Sequence, residues 1–405
     1  MEQPSQPSQR ISRLVEALPP SGIRKFFDLV IGREDIISLG VGEPDFVTPW
    51  RICDAAIYAI EHGRTSYTSN RGLLALRRAI ADYLEARFGA RYHPATDLCI
   101  TVGVSQGLDI VLRAIVNPGD EIIIIEPCYV SYRPMALLAG AEVRILPTYL
   151  KDAFQPDLER LEALVTPRTK ALLICYPNNP TGATYNRATL EGIAAIARRH
   201  DLLVLSDEVY AELTFEGRHT CFPTLEGMHE RTVLLSGFSK AWAMTGWRLG
   251  YLAGPRDVIE AAVKVHQYSM LCAPIMAQYA AIEALENGRR EVDEMVASYL
   301  ERRNIIVRGF HSIGLPIVSP QGAFYAYPSI AHYGMSSETF CEELLNQTNV
   351  AIVPGNAFGA CGEGHVRCAF AASIDNIRTA LDRIGDFLGT LRPLANHARE
   401  RVPVK

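Results

Sequence analysis

Between about residues 50 and 290, short continuous apolar runs alternate with longer stretches in which apolar residues recur at three- and four-residue spacing. That alternation predicts parallel strands joined by helical crossovers, the mark of a doubly wound α/β sheet. The strand candidates are 121–125, 170–175, 202–206 and 232–236, each ending beside polar or small residues. Helix candidates at 105–116, 129–139 and 188–199 are closed by Asn-Pro-Gly or Gly stops. Ahead of them, Gly40-Val41-Gly42-Glu43-Pro44-Asp45 is too punctuated by Gly and Pro for regular structure and reads as a loop. From about 290 the pattern gives a long amphipathic helix, a break at Gly314-Leu315-Pro316, short strands and helices, and a final helix near 375–391. The expected organisation is an N-terminal segment (1–48) that contributes to a small domain, a large domain (49–290), a smaller α/β domain (291–391) and a tail (392–405).

Composition narrows the class. At 405 residues the chain exceeds the usual limit of a single core. With 48% hydrophobic and 21% charged residues it falls among ordinary globular proteins. A net charge of -5 without any long basic run argues against nucleic acid or an anionic membrane as the main partner and leaves a small molecule. The polar, Pro-rich start has no apolar core of a signal peptide, and no stretch is long and apolar enough to span a bilayer. Nine cysteines lack paired close spacing, which suggests a reducing cytoplasm; Cys361 and Cys368 flank His365 without a zinc-site pattern, so no metal is expected. The basic end 399–405 reads as a solvated tail.

In an open α/β sheet ligands bind beyond the C-terminal ends of strands. Three of the runs lead into Tyr176-Pro177-Asn178-Asn179-Pro180-Thr181-Gly182, Asp207-Glu208-Val209-Tyr210 and Gly237-Phe238-Ser239-Lys240. Neighbouring strand ends thus offer an amide, a carboxylate with a phenol, and an amine. Taken singly, each has a plain explanation: a turn, a helix cap and a surface lysine. Their order and common location outweigh those explanations.

The stretch Ser236-Gly237-Phe238-Ser239-Lys240 through Thr245-Gly246-Trp247-Arg248-Leu249-Gly250 resembles the lysine motif of the class I/II, fold-type I aminotransferases that use pyridoxal phosphate (PLP). The resemblance extends, in family order, to Gly42-Glu43-Pro44-Asp45-Phe46, Asn179-Pro180-Thr181-Gly182, Asp207-Glu208-Val209-Tyr210 and His365-Val366-Arg367. Within that family, Ser21-Gly22-Ile23-Arg24-Lys25 and Tyr67-Thr68-Ser69-Asn70-Arg71-Gly72 look like the prokaryotic aspartate and aromatic aminotransferase branch. The implied fold is the type I PLP-dependent transferase fold: a large, mostly parallel sheet domain with a smaller α/β domain.

The resemblance also implies roles. Lys240 would carry PLP as a Schiff base and shuttle the α-proton, with its pKa lowered by desolvation and neighbouring cations. Asp207 would keep the pyridine nitrogen protonated. Tyr210 and Asn179 would donate to the phenolic oxygen, and Tyr129 would stack on the ring unless it is simply a core aromatic. The phosphate falls to Val104, Ser105 and Gln106 at a helix start, with Arg248 as the cation. Ser236 and Ser239 stand as further phosphate ligands, because Gly237 occupies the family's usual hydroxyl position. Arg367 would clamp the substrate carboxylate, with Gly42 and Asn179 beside it. Gly40-Val41-Gly42 lacks a dinucleotide fingerprint. Tyr67 matches a residue that reaches the phosphate in a neighbouring subunit, which implies a homodimer with shared active sites.

The leading activity is ping-pong transamination between an L-amino acid (aspartate, aromatic or related) and a 2-oxo acid such as 2-oxoglutarate. The same fold hosts C–S lyases and decarboxylases. A module that only senses PLP or an amino acid is the reading from another class, but about 20 residues before the fold are too few for a DNA-binding unit. Ile23, Arg24, Tyr67 and Tyr325 are candidates for the distal side of the substrate pocket; Arg24 could pair with a distal carboxylate or be an exposed helix arginine.

Overall fold

In a computed structural model, residues 10–18, 22 and 35–392 are described. Arg24 and the basic end 399–405 lie outside them. In chain order the strands are β1 (Ile37–Ser38), β2 (Leu98–Thr101), β3 (Glu121–Glu126), β4 (Glu142–Pro147), β5 (Thr169–Cys175), β6 (Leu203–Asp207), β7 (Thr232–Gly237), β8 (Gly250–Ala253), β9 (Tyr325–Ala326), β10 (Val350–Ala351), β11 (Val353–Pro354) and β12 (Val366–Ala369). Seven of them form one sheet in the order β2-β8-β7-β6-β5-β3-β4. Only β8 opposes the others, pairing antiparallel with both β2 and β7.

The continuous apolar runs reflect burial on both faces. Ile122 and Ile124 join Leu173, Leu205 and Val233 in a core closed by the Gly103–Ile115 and Arg256–Ser269 helices. Ile123 and Ile125 point the other way and join Leu172, Ile174 and Val204 beneath the Arg187–Arg199 helix. Strands β2, β4 and β8 are legible only in the structure. The first and last are four residues long, and β4 is mostly half-buried, with only Leu146 fully covered.

Two helix boundaries differ from the sequence expectation in ways that matter for the site. The helix expected from 105 begins at Gly103, which brings Val104 and Ser105 into its first turn. The helix expected from 129 begins at Tyr132; ahead of it the Cys128 N–H is tied to the Phe358 carbonyl at 2.9 Å and the Tyr132 N–H turns back to the Tyr129 carbonyl at 3.1 Å. Tyr129 therefore sits on an irregular segment rather than a helix.

Near the C-terminal half, β9, β11 and β12 form a three-stranded antiparallel sheet, while β1 pairs in parallel with β10. The Arg289–Ser312 and Ile374–Thr390 helices pack together beside them. No helix among the described residues is long and apolar enough to cross a membrane.

A buried carboxylate ties these parts together. Glu212, five residues beyond the end of β6, accepts from Tyr83 Oη at 2.7 Å, from Arg87 at 3.0–3.1 Å and from Arg289 at 2.7 Å. Burial opposes its ionisation, but the bonds from Arg87, Arg289 and Tyr83 outweigh that and hold its pKa below the ordinary value. The stability it supplies is therefore present above the ordinary carboxylate pKa and lost as the pH falls through the folded-state value. Glu212→Gln should lower unfolding free energy by about 3 kcal/mol at neutral pH, as expected for breaking a buried ion pair on one side. Denaturant unfolding at pH 7 and pH 4 checks it: the loss should be smaller at pH 4, and an equal loss at both would contradict the charge assignment.

Candidate active site

The reversal of β8 assembles the site. Because β8 runs against its neighbours, its N-terminal end lies at the same sheet edge as the C-terminal ends of β2 and β7, with Thr101, Gly237 and Gly250 in register. Arg248, just ahead of β8, therefore meets the start of the Gly103–Ile115 helix that follows β2. A Cβ on Gly103 would come within 2.6 Å of the Arg248 guanidinium, so only glycine lets that cation lie against the helix start. The first-turn N–H groups of Gly103, Val104 and Ser105 have no intrahelical acceptor. Together with Arg248 they form an anion cradle.

A cleft of about 800 Å³ opens along this edge and is lined by Val104, Ser105, Tyr129, Asn179, Asp207, Tyr210, Ser239, Lys240, Arg248, Arg367 and Gly42, among others. Lys240 is its centre. The amine donates to the Gly42 carbonyl at 2.7 Å. Desolvation, joined by the positive charges of Arg367 and Arg248, brings its pKa down to about 8, against the opposing pull of Glu43 and Asp207. Asp207 is buried at the end of β6, and burial lifts its carboxyl to about 6 despite hydrogen bonds from Tyr132 Oη at 2.6 Å and the Val209 N–H at 3.2 Å.

On the opposite wall Arg367 is 2% exposed and has no carboxylate partner among the described residues. It donates to the Gly40 carbonyl at 2.6 Å and to Asn179 Oδ1 at 3.0 Å, lies 4.6 Å from the Tyr325 ring centroid and 4.7 Å from that of Phe358, and keeps an unpaired Nε. A buried guanidinium without a counter-charge is costly, and a carboxylate in the cleft would relieve the cost. With Asn179 Oδ1 committed to Arg367, the donor end of that amide is what it can offer to another group. Tyr210 Oη shares a hydrogen bond with Tyr325 Oη at 2.8 Å.

Two expected residues stand elsewhere. Gln106 does not line the cleft: its Oε1 accepts from the Val102 N–H at 2.6 Å and its Nε2 meets His266 Nδ1 at 2.8 Å, so its side chain braces the helix start from behind. Tyr67 is 83% exposed and lines no part of its own chain's cleft. Between the two serines, Ser239 lines the cleft, whereas Ser236 turns to the Glu208 carbonyl at 3.5 Å. The sequence reading missed Tyr132, the donor to Asp207, and the Thr245–Glu43 contact of 3.1 Å at the cleft mouth. Tyr132 lies three residues after Tyr129, and that spacing is a usable signal only once the segment is known not to be helical up to that point.

A half-buried amine between two guanidinium groups, with a buried carboxylate behind it, suits an enzyme that handles amines and carboxylates around a phosphate-bearing group. The donor set fits PLP: a phosphate cradle, an anion for a ring nitrogen, donors for a phenolic oxygen and an amine. The family aminotransferase class I and II matches residues 34–384. A relative in Bacillus subtilis (strain 168) is 53% identical over 378 residues, 93% of this chain and 98% of its own. The aromatic-amino-acid aminotransferase 2 of Thermococcus litoralis is 43% identical over 92% of this chain and 97% of its own. Among solved structures, the aspartate aminotransferase from Thermus thermophilus with maleate superposes with a TM-score of 0.89 at 38% identity, covering 93% of this chain and 99% of that one. The chain belongs to the class I and II aminotransferases.

The geometry makes Lys240 titrate early. In cofactor-free protein, the rate at which an amine reagent labels Lys240 should rise with a midpoint near pH 8, and Arg367→Met should move that midpoint upward by removing a like charge. Peptide mapping of labelled protein across pH reads it; a midpoint at the ordinary lysine value in the native protein contradicts the assignment.

Proposed function

We propose that this aminotransferase holds PLP in the Lys240 cleft and moves an amino group between an L-amino acid and a 2-oxo acid, such as 2-oxoglutarate, by a ping-pong mechanism. The observation that carries the reading is the convergence of half-buried Lys240 with buried Asp207 and Arg367 on one cleft. When bound, the cofactor supplies an aldehyde that takes up amines and a conjugated ring that accepts the electron pair released at the substrate α-carbon.

The chain's own groups do the rest. Arg248 and the N–H groups of Gly103, Val104 and Ser105 would hold the phosphate, with Ser239 adding a hydroxyl. The ionised Asp207 would face the ring nitrogen, kept in place by Tyr132 and the Val209 N–H. Tyr129 would stack on the ring, held edge-on by Tyr132 at a 5.6 Å centroid separation. Tyr210, braced by Tyr325, and the donor end of Asn179 would reach the phenolic oxygen. Arg367 would grip the substrate carboxylate bidentately, and Gly42 would meet the substrate along its backbone. A Cβ at Gly42 would approach Tyr325 Oη to 2.9 Å, which leaves no room for a larger residue. Lys240, released from Gly42, would take the proton from the α-carbon and return it on the other side of the transfer; a pKa near 8 leaves a usable neutral fraction at pH 7.

Aspartate, aromatic or related amino acids are the proposed donors, supported by relatives named aspartate and aromatic aminotransferases. The homodimer reading, with Tyr67 reaching the partner's cofactor phosphate, is supported by large exposed side chains at Val47, Trp50, Tyr67 and Tyr268. Residues 49–290 and 291–391, with 1–48 attached to the latter, are the proposed domains, in keeping with the separate sheets. A cytoplasmic setting accords with nine unpaired cysteines.

Lys240→Ala should cut kcat by at least about 10⁴-fold while PLP stays bound non-covalently. Arg367→Lys should lower kcat/KM by roughly 10- to 100-fold through loss of bidentate pairing. Assays with a panel of amino donors and 2-oxoglutarate read both, and a near-normal Lys240→Ala enzyme would end the reading. Release of ammonia or pyruvate without a second oxo acid would point to a lyase instead.

A further inference from the structure

We propose that Gln278 is a positioning residue: its buried amide fixes the 67–73 loop so that Tyr67 is presented to the partner subunit's cofactor phosphate. The proposal rests on the homodimer reading above.

Gln278 lies in the first turn of the Ile275–Asn287 helix and is fully buried among Ala277, Ala280 and Ala281. A buried amide at such a position is costly unless its polar atoms are paired, and a leucine would pack there without that demand. Every bond the Gln278 amide makes falls on two short stretches of chain, 68–73 and the turn at Ala273. Its Oε1 accepts from the Leu73 N–H at 2.7 Å. Its Nε2 donates to the Ala273 carbonyl at 2.8 Å and to Thr68 Oγ1 at 3.4 Å. The amide thus staples both ends of the 68–73 stretch to the turn just before its own helix.

The rest of the loop base is equally constrained. Gly72 has φ +87°, and a Cβ there would drive into Ile100 and come within 3.0 Å of Gln278 Oε1. The Arg71 carbonyl accepts from the Ile100 N–H at 3.0 Å, and the Arg71 guanidinium reaches the Thr96 carbonyl at 2.8 Å. Asn70 Nδ2 donates to Gln267 Oε1 at 3.3 Å. Against this rigid base Tyr67 is 83% exposed. A loop held this firmly behind an exposed phenol has its ordering cost met before contact, which is what presenting a hydroxyl to another subunit's phosphate requires. Ordinary core packing would account for an apolar residue at 278, but not for an amide that joins this loop to the Ala273 carbonyl.

The test uses Gln278→Leu, Gln278→Glu and Tyr67→Phe holoenzymes, singly and combined. Cofactor release on dilution and dimer dissociation by sedimentation are read beside activity. Gln278→Leu should speed cofactor release about tenfold, the equivalent of roughly one hydrogen bond. Gln278→Glu, which keeps the acceptor for Leu73 but sets a carboxylate oxygen against the Ala273 carbonyl in a buried site, should not recover the loss at neutral pH. The double variant Gln278→Leu with Tyr67→Phe should be no worse than Tyr67→Phe alone, since both act through one contact.

Hybrid dimers locate the effect. When Lys240→Ala is on one chain and Gln278→Leu on the other, the only competent Lys240 faces a native loop, and the PLP concentration for half-maximal activity should match wild type. Placing both substitutions on the same chain should restore the defect. Additive losses in the double variant, or a defect that follows the chain bearing Lys240, would overturn the role of Gln278. A monomeric holoenzyme, or a Tyr67→Phe variant with unchanged cofactor release, overturns it by a different route, through the homodimer reading itself.

Discussion

Desolvation of charge at one sheet edge is the constraint on which this structure turns. Lys240, Arg248 and Arg367 bring three cations to a single cleft, and only Asp207 and Glu43 answer them from its lining. Charges held this close in a low-dielectric setting repel strongly unless the scaffold fixes them. The segment from Gly40 to Thr48 supplies much of that fixing. Arg367 grips the Gly40 carbonyl, Lys240 the Gly42 carbonyl and Arg302 the Asp45 carboxylate at 2.6 Å, while Thr48 Oγ1 donates to the Ala243 carbonyl at 2.6 Å. Arg302 also lies 5.0 Å from the Phe46 ring centroid. One strap therefore joins the lysine loop, the carboxylate clamp and the Arg289–Ser312 helix, so that the distance between the cations is set by backbone carbonyls rather than by the cations themselves.

Behind that edge the fold separates carboxylates that are adjacent in sequence. Asp207 and Glu208 leave the end of β6 on opposite sides, as alternation along a strand requires. Asp207 faces the cleft. Glu208 faces the back, where His219, Ser206 Oγ, Tyr176 and the Phe222 N–H surround it. Four residues further on, Glu212 locks onto Arg87 and Arg289. Of three acidic groups within six residues, two are thus spent on structure, and the short turn carrying Tyr210 is held on both flanks.

Much of this was legible in the chain itself. Apolar runs bounded by small and polar residues mark β3, β5, β6 and β7, because burial on both faces demands continuous hydrophobicity, and the chemistry at their ends follows from chain direction. What stayed hidden depends on through-space geometry. Nothing local reveals that β8 is reversed, although that reversal brings Arg248 to the cradle. Gln106 sits in the right turn, yet a side chain has its own direction, and His266 draws this one away. Tyr325 could be assigned to the pocket from its place in the chain, but its bond to Tyr210 spans 115 positions and has no periodic signature.

The glycine at 237, where the family carries a hydroxyl, is best understood through the same reversed strand. Gly237 and Gly250 pair across β7 and β8, and a Cβ on Gly237 would come within 2.9 Å of both the Gly250 Cα and the Leu249 carbonyl, and 3.2 Å from Val104. A Cβ on Gly250 would in turn approach the Val104 N and the Gly103 carbonyl carbon to 2.7 Å. The helix start is therefore pressed directly onto Gly250, with only the Val104 side chain between it and Gly237. A serine at 237 would gain a hydroxyl near the phosphate but push Val104 outward, and the N–H groups of Gly103, Val104 and Ser105 would lose their aim. Three oriented backbone donors at a helix terminus with Arg248 beside them outweigh one added neutral hydroxyl, so close packing at Gly237 and Gly250 favours the cradle.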